Sequence, residues 1–182
     1  MLQKCSTDKV LKVFFNEPTK KYSLKEISTS SKIAHTSVKK ILNELLNNKI
    51  ISSVNEKKGK RNFPTYKSNL EESYYRKLKF VSNLEEISQS LLIEKLDKLF
   101  MPKSIVLFGS YSRGEDIEES DIDIFVEAPE EEINLIKFEK KLSRKINLHF
   151  SKNINNLSSQ LKENIINGVV LMGEIELKWK EK

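Results

Sequence analysis

The sequence predicts an α/β (α+β) protein of two modules joined by a helical stretch, on three observations. Apolar residues recur at helical spacing through residues 9–50. Two short segments, "SIVLF" at 104–108 and "DIDIFVE" at 121–127, instead have the length and alternation of strands. Charge divides unevenly as well. Residues 1–70 hold 15 Lys and Arg against 5 Asp and Glu, a net of +10, whereas residues 71–182 hold 17 against 21, a net of −4. A basic half joined to an acidic half implies different partners. The first suits a polyanion and the second can hold metal cations.

A chain of 182 residues accommodates one ordinary domain or two small ones. Its 38% hydrophobic content supports a core, and 32% charged residues point to a soluble protein. The single cysteine, Cys5, excludes an internal disulfide framework and fits a reducing compartment. No apolar run reaches membrane-spanning length, and the start "MLQKCSTDKV" lacks the apolar stretch of a signal peptide. The expected location is cytoplasmic, without a membrane partner.

The first module, residues 1–68, begins with "KVLKVFFNEP", a helix that must end before Pro18. "YSLKEI" carries a capping box, Ser23 with Glu26, and a hydrophobic staple of Tyr22 on Ile27, so a second helix begins at Leu24. In "TSVKKILNELLNNKI", Val38, Ile41, Leu42 and Leu45 line one face of a third helix, and Lys39, Lys40 and Asn43 face outward. Asn47 and Asn48 are candidates for the left-handed residue that ends it. "IISSVNEKKGKRNFPTYKS" then predicts two strands around a basic turn with Gly59 at its tip.

Three short helices and a basic hairpin resemble the winged helix-turn-helix of microbial transcription regulators. In that family the third helix enters the DNA major groove and the wing touches the backbone. The resemblance places His35, Thr36, Ser37, Lys39, Lys40 and Asn43 at the groove, and Lys57, Lys58, Lys60 and Arg61 at phosphates, with duplex DNA as the partner. A winged helix used for protein contacts is the other use of such a module.

Residues 69–100 form the predicted connector, with no Gly or Pro in 70–99. "SNLEE" occurs at 68–72 and again at 82–86. Either each copy starts a helix, or Leu70, Tyr74, Leu78, Val81, Leu84, Leu91 and Leu92 form the stripe of one long helix. Such a stripe suits a homodimer seam or packing against the second module, and packing is the expected use.

The second module, residues 101–177, carries the chemistry. In the 121–127 strand, Ile122, Ile124 and Val126 share one face, which puts Asp121 and Asp123 together on the other, close enough to ligate one divalent cation. Gly109-Ser110 ends the strand 104–108 and offers backbone amides and a hydroxyl to phosphate oxygens. Arg113 adds a cation, and Gly114 lets the chain turn. A triphosphate carried on a metal suits these parts.

Gly109-Ser110, ten residues, then Asp121-x-Asp123 resembles the signature of the minimal nucleotidyltransferases, small relatives of the DNA polymerase β superfamily. The resemblance, over about residues 90–175, implies a small mixed sheet flanked by helices. It also implies metal-dependent transfer of a nucleotide from an NTP, with ATP the expected one, to an acceptor hydroxyl. Gly109, Ser110 and Arg113 would hold the triphosphate, and Asp121 and Asp123 would bind Mg²⁺ or Mn²⁺ as the catalytic pair. Related two-gene systems use such domains as antitoxins that modify a partner toxin, so a protein substrate is expected. The alternative is a DNA-bound regulator whose degenerate transferase domain binds nucleotide without turnover. The family usually adds a third carboxylate on a following strand, and "SRKINLHF" has Asn147 at that place. His149 shares the Asn147 face and is a candidate substitute base or ligand, with Glu127 and Glu174 as other candidates for the third acid. Trp179 in the charged tail has no assigned role.

Overall fold

Helix α1 (Ser6–Asn16) forms because Val10, Leu11, Val13, Phe14 and Phe15 gather on one side, all buried, and it stops ahead of Pro18. In this computed structural model, which describes residues 5–58 and 61–177, α1 opens the first of two units, Met1–Lys79 and Phe80–Lys182. A two-residue strand β1 (Tyr22–Ser23) leads into α2 (Leu24–Ser31). The capping box is present: Glu26 N donates to Ser23 Oγ at 3.4 Å, and Ser23 N donates to the Glu26 carboxylate at 2.7 Å. Tyr22 and Ile27, the staple pair, are both buried, and Tyr22 also meets Phe14 edge-on at 5.6 Å.

Helix α3 (His35–Asn47) buries Val38, Ile41, Leu42 and Leu45, as its period requires. Its exit differs from expectation. Asn47 stays helical and Asn48 has φ −86, while Lys49 takes the left-handed turn at φ 57. The Asn48 side-chain amide donates to Glu44 O at 2.8 Å, and Ile50 N then closes on Leu45 O at 3.0 Å, bringing Ile50 into the core. Strands β2 (Ile51–Lys58) and β3 (Arg61–Ser68) pair antiparallel from Ile51↔Ser68 to Lys58↔Arg61, and the sheet order is β1-β3-β2. The expected tip, Gly59 with Lys60, lies outside the described residues, as does Trp179.

The segment 69–100 holds α4 (Ser73–Ser90) and α5 (Leu92–Phe100), separated at Leu91, whose φ of 63 breaks the helix. The first "SNLEE" precedes α4 and the second lies inside it, so only the first leads into a helix. The anticipated stripe is also corrected. Tyr74, Val81 and Leu91 are 50%, 62% and 59% exposed, whereas the buried positions are Tyr75, Lys79, Asn83, Ile87 and Ser90. These recur at helical spacing, but three are polar and so invisible to a hydropathy pattern. Tyr75 and Leu78 join the first unit's core, and Leu84, Ile87, Leu92, Leu96 and Phe100 join the second's.

In the second unit, β4 (Ser104–Phe108), β5 (Ile122–Val126), α6 (Ile136–Leu142), β6 (Ile146–Phe150), α7 (Ser159–Ile166) and β7 (Val169–Gly173) follow in order. The sheet order is β6-β5-β4-β7, with β5 and β6 parallel and the other pairs antiparallel, so the sheet is mixed. Strand alternation sorts its faces. Ile105, Leu107, Ile122, Ile124, Val126 and Ile146 pack with α4, α5 and α6 residues. Val106, Phe108 and Phe125 pack on the other face with Ile154, in the segment before α7, and with Ile165 of α7. Each fully buried aliphatic or aromatic side chain stabilises the unit by ~1.5–3 kcal/mol. At one end of this sheet, where β4 ends and β5 begins, the apolar faces give way to polar residues.

Candidate nucleotide and metal site

The end of β4 and the start of β5 are adjacent, because Phe108 pairs with Asp123. Gly109 follows Phe108 with φ +76, a conformation that side chains disfavour. A Cβ there would also stand 2.6 Å from Asp123 Oδ2, so a side chain at this position would push the Asp123 carboxylate aside as well as strain the backbone. Past Ser110 the chain makes a single 3-10 turn, Tyr111–Arg113, closed by Gly114 at φ 67. Arg113 N and Glu115 N donate to Ser110 O, and Ser112 Oγ donates to Gly109 O at 2.8 Å. Arg113 is exposed, with its Nε 2.7 Å from the Glu115 carboxylate.

Asp121 lies one residue before β5 and Asp123 within it, both half-buried. They do converge. Parallel pairing sets Asp123 beside Asn147, and the Asn147 amide donates to Asp121 Oδ2 at 3.1 Å and to Asp123 Oδ1 at 3.3 Å. Asn147 therefore occupies the position expected of a third acid and joins the two carboxylates through N–H groups. His149, two residues along the same face, rests its ring edge-on against Phe108 at 5.1 Å. Its Nε2 is buried without a hydrogen-bond partner, 3.5 Å from Asp123 Oδ1. That nitrogen faces a carboxylate, not open space, so it is not placed to meet an incoming hydroxyl directly.

The other two acids stand elsewhere. Glu127 is buried at the far end of β5, where Ser104 Oγ donates to it at 2.9 Å and Ile154 N at 3.1 Å. Glu174 follows Gly173, the partner of Ser104. Strand β4 separates Ser104 from the Phe108–Asp123 end by roughly 13 Å at ~3.3 Å per residue, beyond the reach of either carboxylate. Neither is the missing third acid.

Beneath the loop runs a buried polar cluster that the sequence pattern does not reveal. Asn83 of α4 donates to Tyr111 O at 2.9 Å and to Asp116 Oδ1 at 2.8 Å. Asp116 is 2% exposed, and the Arg144 guanidinium lies 3.8 Å from its carboxylate. Tyr111 OH donates to Glu86 at 3.4 Å. Burial, reinforced by the Glu86 charge, pushes the Tyr111 phenol far above its ordinary range, so it stays protonated.

In the first unit, His35, Thr36, Ser37, Lys39, Lys40 and Asn43 are all exposed on α3, the first three in its opening turn. Lys57 is exposed near the end of β2, while Lys58 and Arg61 close β2 and open β3. Among the described residues no helix is long and apolar enough to cross a membrane.

A family profile described as "Nucleotidyltransferase domain" matches residues 89–171. Two proteins of Methanocaldococcus jannaschii, each named "Putative protein adenylyltransferase", are similar to the same chain. One is 41% identical over 98 residues, covering 47% of this chain and 98% of its own length. The other is 47% identical over 51 residues, covering 28% of this chain and 58% of its own. No solved structure matches the chain. The chain belongs to the nucleotidyltransferase-domain family, whose chemistry is the transfer of a nucleotide, with an NTP as substrate and a divalent metal in general.

The residues present fit such a metal in a particular way. Gly109 leaves the space beside Asp123 Oδ2 open, and Asp121 shares the Asn147 amide with Asp123. Among the described residues no group of three or more His, Cys, Asp and Glu side chains could hold an ion by itself. With the Asn147 amide turned to offer Oδ1 in place of its N–H groups, two carboxylates and one carbonyl oxygen suit a divalent ion whose remaining positions are filled by substrate phosphates and water.

Proposed function

We propose that the second unit transfers a nucleotide from an NTP, ATP being the expected one, to a hydroxyl of a protein. The observation that carries this is the convergence of Asp121 and Asp123 on the Asn147 amide, beside a Gly109 that leaves Asp123 Oδ2 uncovered. A protein acceptor is supported by the names of the two archaeal relatives. Asp121 and Asp123 would bind Mg²⁺ or Mn²⁺. Bound there, the ion would neutralise charge on the phosphate oxygens and make the transferred phosphorus more open to attack. Gly109 and Ser110 would lie against the triphosphate, and Arg113 would exchange part of its contact with Glu115 for a phosphate oxygen.

The first unit, in the same proposal, is a winged helix-turn-helix that binds duplex DNA. Its order of elements, α1-β1-α2-α3-β2-β3, supports this, as do the net charge of +10 over residues 1–70 and the exposed polar residues opening α3. A second function has one specific observation in its favour. Asn147 cannot accept the proton of an attacking hydroxyl, so the same site also suits a DNA-bound regulator that binds nucleotide without turnover.

Calorimetry with Mn²⁺–ATP, followed by labelled ATP with Mn²⁺ and a host lysate, tests the proposal. Wild type should bind Mn²⁺–ATP and label a protein band, while Asp121→Ala with Asp123→Ala should abolish both and leave the melting transition cooperative. Equal affinity in the double variant would sink the site. Binding without labelling would favour the regulator.

A further inference from the structure

We propose that Asn83, on helix α4, is a positioning residue for the Gly109–Ser110 loop, holding in register the segment that joins the two halves of the site. This rests on the transferase function proposed above. Asn83 is 4% exposed, and both hydrogens of its side-chain amide are spent on that segment: one on Tyr111 O at 2.9 Å, the other on Asp116 Oδ1 at 2.8 Å. Those two acceptors bracket Arg113 and Gly114. One lies immediately after Ser110, and the other lies on the path to Asp121.

The loop needs such a hold because its own bonds are short-range. They close one 3-10 turn around Ser110 O and Gly109 O. Anchorage comes from α4 through Asn83, reinforced one turn later by Glu86, which accepts from Tyr111 OH at 3.4 Å. On the opposite side Asp116 faces Arg144 at 3.8 Å, two residues before β6 and three before Asn147. The amide of Asn83 thus links the phosphate-binding turn to the strand entry that carries Asn147.

An apolar side chain would fill the same space but would take one donor from the buried Asp116 carboxylate and one from the Tyr111 carbonyl, and aspartate would set two buried acids against each other. Asparagine alone among similar-sized residues supplies two donors here. The family match begins at residue 89, so Asn83 lies outside it. By this inference the working unit includes α4.

The test compares full-length wild type, Asn83→Ala and Ile87→Val, measuring thermal midpoint and Mn²⁺–ATP affinity on each. Misplacing a phosphate-binding turn by about an ångström should weaken Mn²⁺–ATP binding by about ten- to a hundredfold. Ile87, buried one turn further along α4, packs in the core of the same unit, so Ile87→Val loosens the helix without removing a donor from the loop and should lower the midpoint while affinity holds. That separation marks positioning. Affinity within twofold of wild type in Asn83→Ala would overturn the proposal, as would an equal loss of affinity in Ile87→Val. Should wild type itself fail to bind Mn²⁺–ATP, the transferase function falls, and amide hydrogen exchange decides the tether. Faster exchange at residues 110–117 in Asn83→Ala supports it, and unchanged exchange overturns it.

Discussion

At position 147 a neutral amide meets two carboxylates, at 3.1 Å and 3.3 Å, and a third acid there would differ in both charge and proton. Without a cation, Asn147→Asp would replace two N–H donors with a like charge and push the three carboxyls apart. With one, it would supply a further ligand and a candidate base. The variant should therefore melt earlier than wild type in the absence of metal and be stabilised more strongly by Mn²⁺. Its rate of nucleotide transfer should rise by about 10²–10⁴-fold where base catalysis is missing. A melt with and without Mn²⁺ and a labelled-ATP assay read both effects; an unchanged melt and rate would show that position 147 is outside the metal site. His149→Ala is the companion. With Nε2 buried against Asp123 Oδ1 at 3.5 Å, its loss should weaken Mn²⁺–ATP binding a fewfold by freeing Asp123. Complete loss of turnover at unchanged affinity would contradict that and restore histidine as a base.

At the scale of elements, local geometry was legible in the sequence and spatial partnership was not. Ile122, Ile124 and Val126 against Asp121 and Asp123 could be sorted by alternation alone, and Ser23 with Glu26 marked a helix start. The face of α4 could not be read. Lys79 and Asn83 are buried because of what they meet in space, and Tyr74 and Val81 are exposed for want of a surface to cover. Hydropathy scores a residue, whereas burial of a polar group depends on its partners. Gly109 lies between these cases, since the need for a turn was legible and the approach of Asp123 was not. Gly109→Ala should cost ~1–2 kcal/mol from the left-handed backbone alone. That corresponds to roughly 4–8 °C per kcal/mol for a unit of this size. The added methyl would also displace the Asp123 carboxylate, 2.6 Å away. Mn²⁺–ATP binding should fall much further than stability does, which calorimetry beside a thermal melt would show. Retained affinity would mean that Asp123 does not ligate the ion from its position beside Gly109.

At the scale of the whole molecule, the charge division makes its own test. A net of +10 over residues 1–70 is a field, and fields attract any polyanion, so binding alone would not distinguish recognition from adhesion. Salt dependence and position do. Each phosphate contact releases counterions and adds about −0.9 to the slope of log affinity against log salt. Changing Lys57, Lys58, Lys60 and Arg61 to Ala in the full chain should flatten that slope by up to about 4 if all four meet phosphates. Changing Ser37 and Asn43 should leave the slope alone while reducing the preference for a chosen site over random duplex, because residues at a recognition helix carry base contacts. Filter binding or fluorescence anisotropy at salt concentrations from about 50 to about 300 mM would measure both. If all six changes flatten the slope alike and no site is ever preferred, α3 is another basic surface and the first unit serves a different partner. No binding at the lowest salt would assign it to protein contacts. A normal slope change with site preference lost only in the α3 variants would make this chain a nucleotide-transfer unit delivered to chosen DNA, with α4 as the continuous helix that contributes residues to both cores.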